Sequence, residues 1–208
     1  PWSGDVQAQG LAAGVRAVSG EAEIRFAARP GVCGDGERMV SFHSPARAAA
    51  DREDGRWQRC EPGPVRVRFT VHGGTVTAVH TAIGTRRVAR ADMADLGVVG
   101  DRDAVDYLLA IARDAQPDVA RGAVMPAALA DSVTITPTLL ALADDRARAT
   151  GVRKSALFWA GQVDESDVTA AVTRIADDES EDRALREQAV FVLSQLPNGE
   201  GVTALTTI

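Results

Sequence analysis

Two stretches, VRKSALFWAGQVD at 152–164 and LREQAVFVLSQLP at 185–197, carry one apolar pattern at an offset of 33 residues. VARGAVMPAALAD at 119 precedes them at the same offset. Val119, Val152 and Leu185 correspond, as do Ala123, Ala156 and Ala189, then Val124, Leu157 and Val190, then Met125, Phe158 and Phe191. A second series interleaves with the first: LLAIARD at 108, LLALADD at 139, VTRIADD at 172 and LTTI at 205, at offsets of 31, 33 and 33. A fixed spacing of this size marks an array of supersecondary units that bury their apolar faces only by stacking. Within one unit Val152, Ala156, Trp159, Ala160 and Val163 form one stripe of a 3.6-residue helix, so each unit is expected to be a helical hairpin. The recurring alanine lets neighbouring helices approach closely; a larger side chain there would cost about 1–3 kcal/mol by overpacking.

Local punctuation fits this reading. Thr136-Pro137 places a capping hydroxyl before a first-turn proline, Ser166 and Asp167 are positioned to cap the next first helix, and Pro197-Asn198-Gly199 closes the last complete second helix. Pro126, inside GAVMPAALA, predicts a kink in the first unit.

From Asp103 to Ile208 the chain resembles the HEAT-like repeats of short period, also found in bilin-lyase relatives. The resemblance is carried by VRKSALFWAGQ and LREQAVFVLSQL, each preceded by an acidic turn, DDRARATG and DDESEDRA. It implies an α-solenoid of about three and a half units whose second helices line a concave, protein-binding surface. The departures are Pro126 and the ending ALTTI, which opens a fourth unit without its partner helix. The apolar face so left is expected to meet either chain beyond Ile208 or another molecule, with self-association as one outcome.

The first ninety residues read differently. They carry 13 basic against 9 acidic side chains, whereas residues 91–208 carry 10 against 20. The division is therefore expected after residue 90, between a β-rich module at 1–90 and helical repeats at 91–208. In GPVRVRFTVHGGTVTAVHTAIG, 63–84, Val65, Val67, Phe69 and Val71 alternate with Arg66, Arg68, Thr70 and His72, and Gly73-Gly74 supplies a turn. This predicts a hairpin with one wet face. Weaker strands are expected at 22–28 and 38–43, a fourth near Trp57, and a short helix over 7–18. The fold class expected is α+β: a small antiparallel β-rich domain followed by an α-solenoid.

The acidic second half lacks the clustered cations that phosphate binding requires, which argues against a nucleic-acid surface. No apolar run reaches the roughly 18 residues of a membrane span. Cys33 and Cys60, 27 residues apart, sit in Gly-, Pro- and Arg-rich surroundings. Their expected state is a disulfide, worth about 3–4 kcal/mol in the chain-entropy model and pointing to a periplasmic or secreted protein. Buried thiols or a metal site are the alternatives, the latter without a CxxC or HxxxH partner.

Chemistry-bearing patterns are few. His72 and His80 flank one hairpin and invite comparison with a metal site, against the plainer reading of surface histidines; His43 is the third. Ser41-Phe42-His43-Ser44 is no nucleophile elbow, and GVCGDG at 31–36 lacks the following helix a phosphate loop needs. Asp177, Asp178, Glu179, Glu181 and Asp182 are either a calcium-attracting turn or solvated carboxylates favouring a helix N-terminus. No catalytic set, cofactor or metal is expected. Of Phe158 and Trp159, one is expected in the core and the other as an anchor. The partner-binding stripe is placed at Arg153, Lys154, Phe158, Gln162, Arg186, Glu187 and Gln195. The expected function is a non-enzymatic scaffold holding a protein or peptide. An accessory domain of a larger envelope enzyme or signalling protein and a bilin-lyase-like enzyme are the alternatives.

Overall fold

The alternation over 65–83 folds as expected: β4 (Val65–His72) and β5 (Thr75–Ile83) form an antiparallel hairpin, His72 opposite Thr75. Gly73 and Gly74 turn at φ 56° and 75°, a region closed to most side chains. The computed structural model describes residues 4–37, 40–42, 60–85, 92–163, 168–196 and 199–206. Trp57, His43, Ser44, Ser166, Asp167, Pro197, Asn198 and Ile208 lie outside the described residues.

The described chain divides into two compact units, Pro1–Val133 and Thr134–Ile208, which is not the division expected after residue 90. In the first unit, α1 (Gly4–Arg16) precedes β1 (Gly20–Phe26), β2 (Val32–Gly34) and β3 (Val40–Phe42). The β4–β5 hairpin follows, then β6 (Met93–Val98), α2 (Asp101–Asp114) and α3 (Pro117–Ala128). The main sheet runs β5-β4-β1-β6. It is mixed rather than antiparallel: β1 is antiparallel to β4 but parallel to β6, because the chain leaves β5 at one edge and re-enters at the other in the same direction as β1. β2 and β3 form a separate two-stranded piece, tied by the Cys33–Cys60 disulfide with Cα atoms 5.2 Å apart.

One sheet face is the core. Ala22, Ile24, Phe26, Val65, Val67, Phe69, Val71 and Ile83 are buried, and Phe69 meets Tyr107 of α2 edge-on at 5.5 Å. α3 lies against β5: a Cβ added to Gly122 would sit 3.4 Å from the Val79 carbonyl oxygen. After β1, Arg29 N–H donates to the Leu129 carbonyl (2.9 Å) and Asp131 N–H to that of Ala27 (3.0 Å). Helices α2 and α3, expected as repeat units, are thus part of the sheet unit. Pro126 lies in the last turn of α3, where its missing N–H deprives only the Gly122 carbonyl of a helical bond.

The second unit contains α4 (Thr136–Asp144), α5 (Thr150–Gln162), α6 (Thr169–Asp177), α7 (Arg183–Gln195) and α8 (Glu200–Leu205). α4 and α6 are 9 residues each and begin 33 apart; α5 and α7 are 13 each and also begin 33 apart. Corresponding positions are buried alike: Leu139 and Val172, Val152 and Leu185, Ala156 and Ala189. Two helix starts depart from expectation. Ile135, not Thr136, occupies the cap of α4, without a side-chain bond. Gly199, at φ 71°, opens α8 instead of closing α7, which ends at Gln195.

Candidate functional site

On α5, Lys154, Phe158 and Gln162 fall at i, i+4 and i+8, one face of the helix. On α7, Glu187, Phe191 and Gln195 repeat that spacing, each 33 residues later. The two helices pack together. Phe158 and Phe191 stack, with ring centroids 6.4 Å apart and planes at 21°. Trp159 meets Phe158 edge-on at 5.3 Å and 83°. Phe191 keeps 48% of its surface exposed and Val190 39%, while Lys154, Phe158, Trp159 and Gln162 are half-buried and Glu187 and Gln195 exposed. Neither Phe158 nor Trp159 is a core residue, contrary to expectation. Both belong to the surface cluster.

What lets the helices approach is small residues at the crossing. Ala156, Ala160 and Ala189 are fully buried, and a Cβ on Gly161 would collide with Cγ1 of Val192. Around the rings, Arg183 Nε donates to Glu187 Oε1 (2.8 Å) and Gln195 Nε2 to Ser194 Oγ (3.4 Å). The result is two stacked rings bordered by an ammonium, a carboxylate and two amides.

Arg153 and Arg186 do not belong to this surface. Arg153 is 4% exposed; its Nε donates to the Ala143 carbonyl at the end of α4 (2.7 Å). Its two terminal nitrogens grip Glu181 at 2.8 and 2.6 Å. Arg186 Nε donates to the Ala176 carbonyl at the end of α6 (3.1 Å). Each arginine closes its own hairpin. One residue along a helix is about 100° of rotation, which separates the Arg153 side chain from that of Lys154.

The acidic turn is organised by arginine. Arg146 reaches Asp178 (2.8 Å) and Glu181 (3.5 Å), and Arg174 reaches Asp144 (2.6 Å). The bidentate bond from Arg153 pulls the Glu181 carboxyl down to about 2. Hydrogen bonds from Ser180, side chain first and then backbone, hold Asp178 below the usual carboxylate range. Asp182 caps α7 through the Ala184 N–H (2.8 Å). Among the described residues no three His, Cys, Asp or Glu side chains converge as metal ligands. His72 sits at the hairpin tip, whereas His80 lies opposite Arg68, five residues beyond Thr75 and so about 17 Å along the strand. A ring nitrogen of His80 hydrogen-bonds the Glu37 carbonyl at 2.9 Å. The GVCGDG backbone is engaged in pairing: Gly34 with Glu61, and Gly36 N–H with the Ile83 carbonyl at 2.8 Å.

The sheet face expected to be wet holds a buried ion pair. Arg66 and Glu23 are 2% and 1% exposed and bond at 2.9 and 3.2 Å. Arg25 bridges Glu23 (3.5 Å) to Asp95 (2.8 Å). Arg66 also donates to the Gly36 carbonyl at 3.5 Å, which brings the chain just after Cys33 against the pair. Sequence reasoning missed Glu23 and left Phe191 out of the stripe, although its offset of 33 from Phe158 aligned the two. No protein-family model matches this chain, and no curated protein or solved structure matches it significantly.

Proposed function

We propose that the protein is a non-enzymatic scaffold of the cell envelope or secreted space, holding a protein or peptide on the outer face of α5 and α7. The observation that carries the reading is the pair of matched triplets, Lys154-Phe158-Gln162 and Glu187-Phe191-Gln195, with their stacked rings half open to water. An aromatic centre ringed by polar groups is the composition of a binding hot spot. It contains no nucleophile beside a base, so it supports recognition rather than chemistry. The 33-residue correspondence of the hairpins, in length and in their arginine-to-carbonyl bonds, supports reading them as HEAT-like units. The Cys33–Cys60 bond supports an oxidising compartment.

Peptides selected from a random display library against the intact protein test this. Binders are expected to perturb amide signals of α5 and α7 and to lose about 30-fold in affinity with Phe191→Ala, the scale of an aromatic hot spot. Selected binders that map elsewhere and are indifferent to Phe191→Ala and Phe158→Ala would overturn it.

A further inference from the structure

The first unit contains a cleft of about 340 Å³ lined by Gly10, Leu11, Gly14, Leu96, Val99, Gly100 and Asp103. Its size falls at the small end of ligand pockets, about 300–1,000 Å³. The walls come from α1, the end of β6 and the start of α2, and the β6–α2 side is tied to the strand β1. Val99 N–H donates to the Arg25 carbonyl (2.8 Å), and Asp101 accepts from the Ala27 N–H (2.9 Å). On the α1 side there is room for a side chain, since a Cβ on Gly10 or Gly14 would meet nothing within 4 Å.

Three aliphatic side chains and a single charged one face this space. Asp103 is half-buried, and its Oδ2 lies over the Gly100 backbone, 3.1 Å from where a Cβ there would stand. Asp101 is engaged with the Ala27 amide, whereas Asp103 has no hydrogen-bond or ion-pair partner among the described residues. The neighbouring Arg102 turns to Asp106 at 3.9 Å. Two carboxylates in the first turn outweigh the roughly half positive charge of the α2 N-terminus. An open, largely aliphatic cleft with one available carboxylate favours a ligand with an aliphatic body and a cationic head. We infer that this cleft binds a small primary alkylammonium, its ammonium on Asp103 and its chain against Leu11, Leu96 and Val99.

The test titrates n-hexylammonium, hexan-1-ol and hexanoate into the isotopically labelled intact protein at constant ionic strength, followed by amide chemical shifts. Hexylammonium is expected to move Leu11, Leu96, Val99 and Asp103 and to bind about tenfold or more tighter than the alcohol, the worth of a charge-assisted hydrogen bond. Asp103→Asn should erase that advantage while leaving the alcohol's weak binding intact. Gly14→Leu, which fills the slot from a position with open space, should abolish binding of both. The inference is overturned if alcohol and ammonium bind equally, if the shifts fall elsewhere, or if Gly14→Leu binds like the parent.

Discussion

Glu181 shows how one residue's environment becomes a stability term. Its carboxyl titrates at about 2 in the folded chain against an ordinary 4.5, chiefly through the Arg153 hydrogen bonds. A depressed folded value means stability that is fully present above the unfolded value and lost as the pH falls from about 4.5 toward 2. Urea melts from neutral pH down to about pH 2 should show that slope. In Glu181→Gln the slope should flatten, and at neutral pH the variant should lose about 3 kcal/mol, because Arg153 stays buried without its counter-charge. An unchanged slope would remove Glu181 as its source. The Glu23–Arg66 pair makes the complementary case, with both side chains almost wholly buried. Glu23→Gln should cost about 3 kcal/mol, whereas the double variant Glu23→Leu/Arg66→Met should cost less than either single change, since the two buried partners are removed together. A double variant as unstable as the sum of the singles would contradict this. Neither pair was legible in the sequence. Arg66 sits at a position that alternation marks as wet, and the described groups it bonds, Glu23 and the Gly36 carbonyl, are distant in sequence.

At the scale of elements, legibility followed the range of the interactions. The hairpin over 65–83 and helices α4 to α7 depend on spacing within about a dozen residues, and both were readable. Strand β6, MADLGV, was not. Its glycine and aspartate carry weak strand preference, and it exists because β1, far back in the chain, offers a parallel edge. The triplet faces were half readable: the period located Lys154, Phe158 and Gln162, but the rotation that sends Arg153 inward needed the helix packing. That packing hinges on Gly161, whose missing Cβ makes room for Val192, a β-branched residue with one favoured rotamer in a helix. Gly161→Ala gains about 1 kcal/mol in helix propensity, yet it should lose about 1–3 kcal/mol net by prising α5 from α7. Chemical denaturation would register the loss, and the Phe158–Phe191 cross-ring contacts in NMR should weaken in the same variant. A stabilised Gly161→Ala protein with those contacts intact would show that the crossing is looser than described.

For the whole molecule, composition located a change of character near residue 90, and the structure divides at 133 and 134 instead. The charge step is real, but β6, α2 and α3 are recruited by the sheet, so acidic helical sequence completes a β-rich unit. The disulfide, by contrast, lies wholly in the first unit, closing a separation of 27 residues. Its entropic effect is confined to the chain it constrains: about 3–4 kcal/mol of the first unit's stability. Reduction should therefore act unequally. Amide hydrogen exchange measured with and without reductant should show protection of Val67 and Phe69 in β4 falling about a hundredfold or more, the exchange equivalent of that free energy. Leu157 in α5 and Leu185 in α7 should keep theirs, because both cysteines lie outside Thr134–Ile208. An equal fall in both sets would mean that the two units open as one cooperative body, and the arginine-clamped hairpins would then owe their stability to the sheet unit as well as to each other.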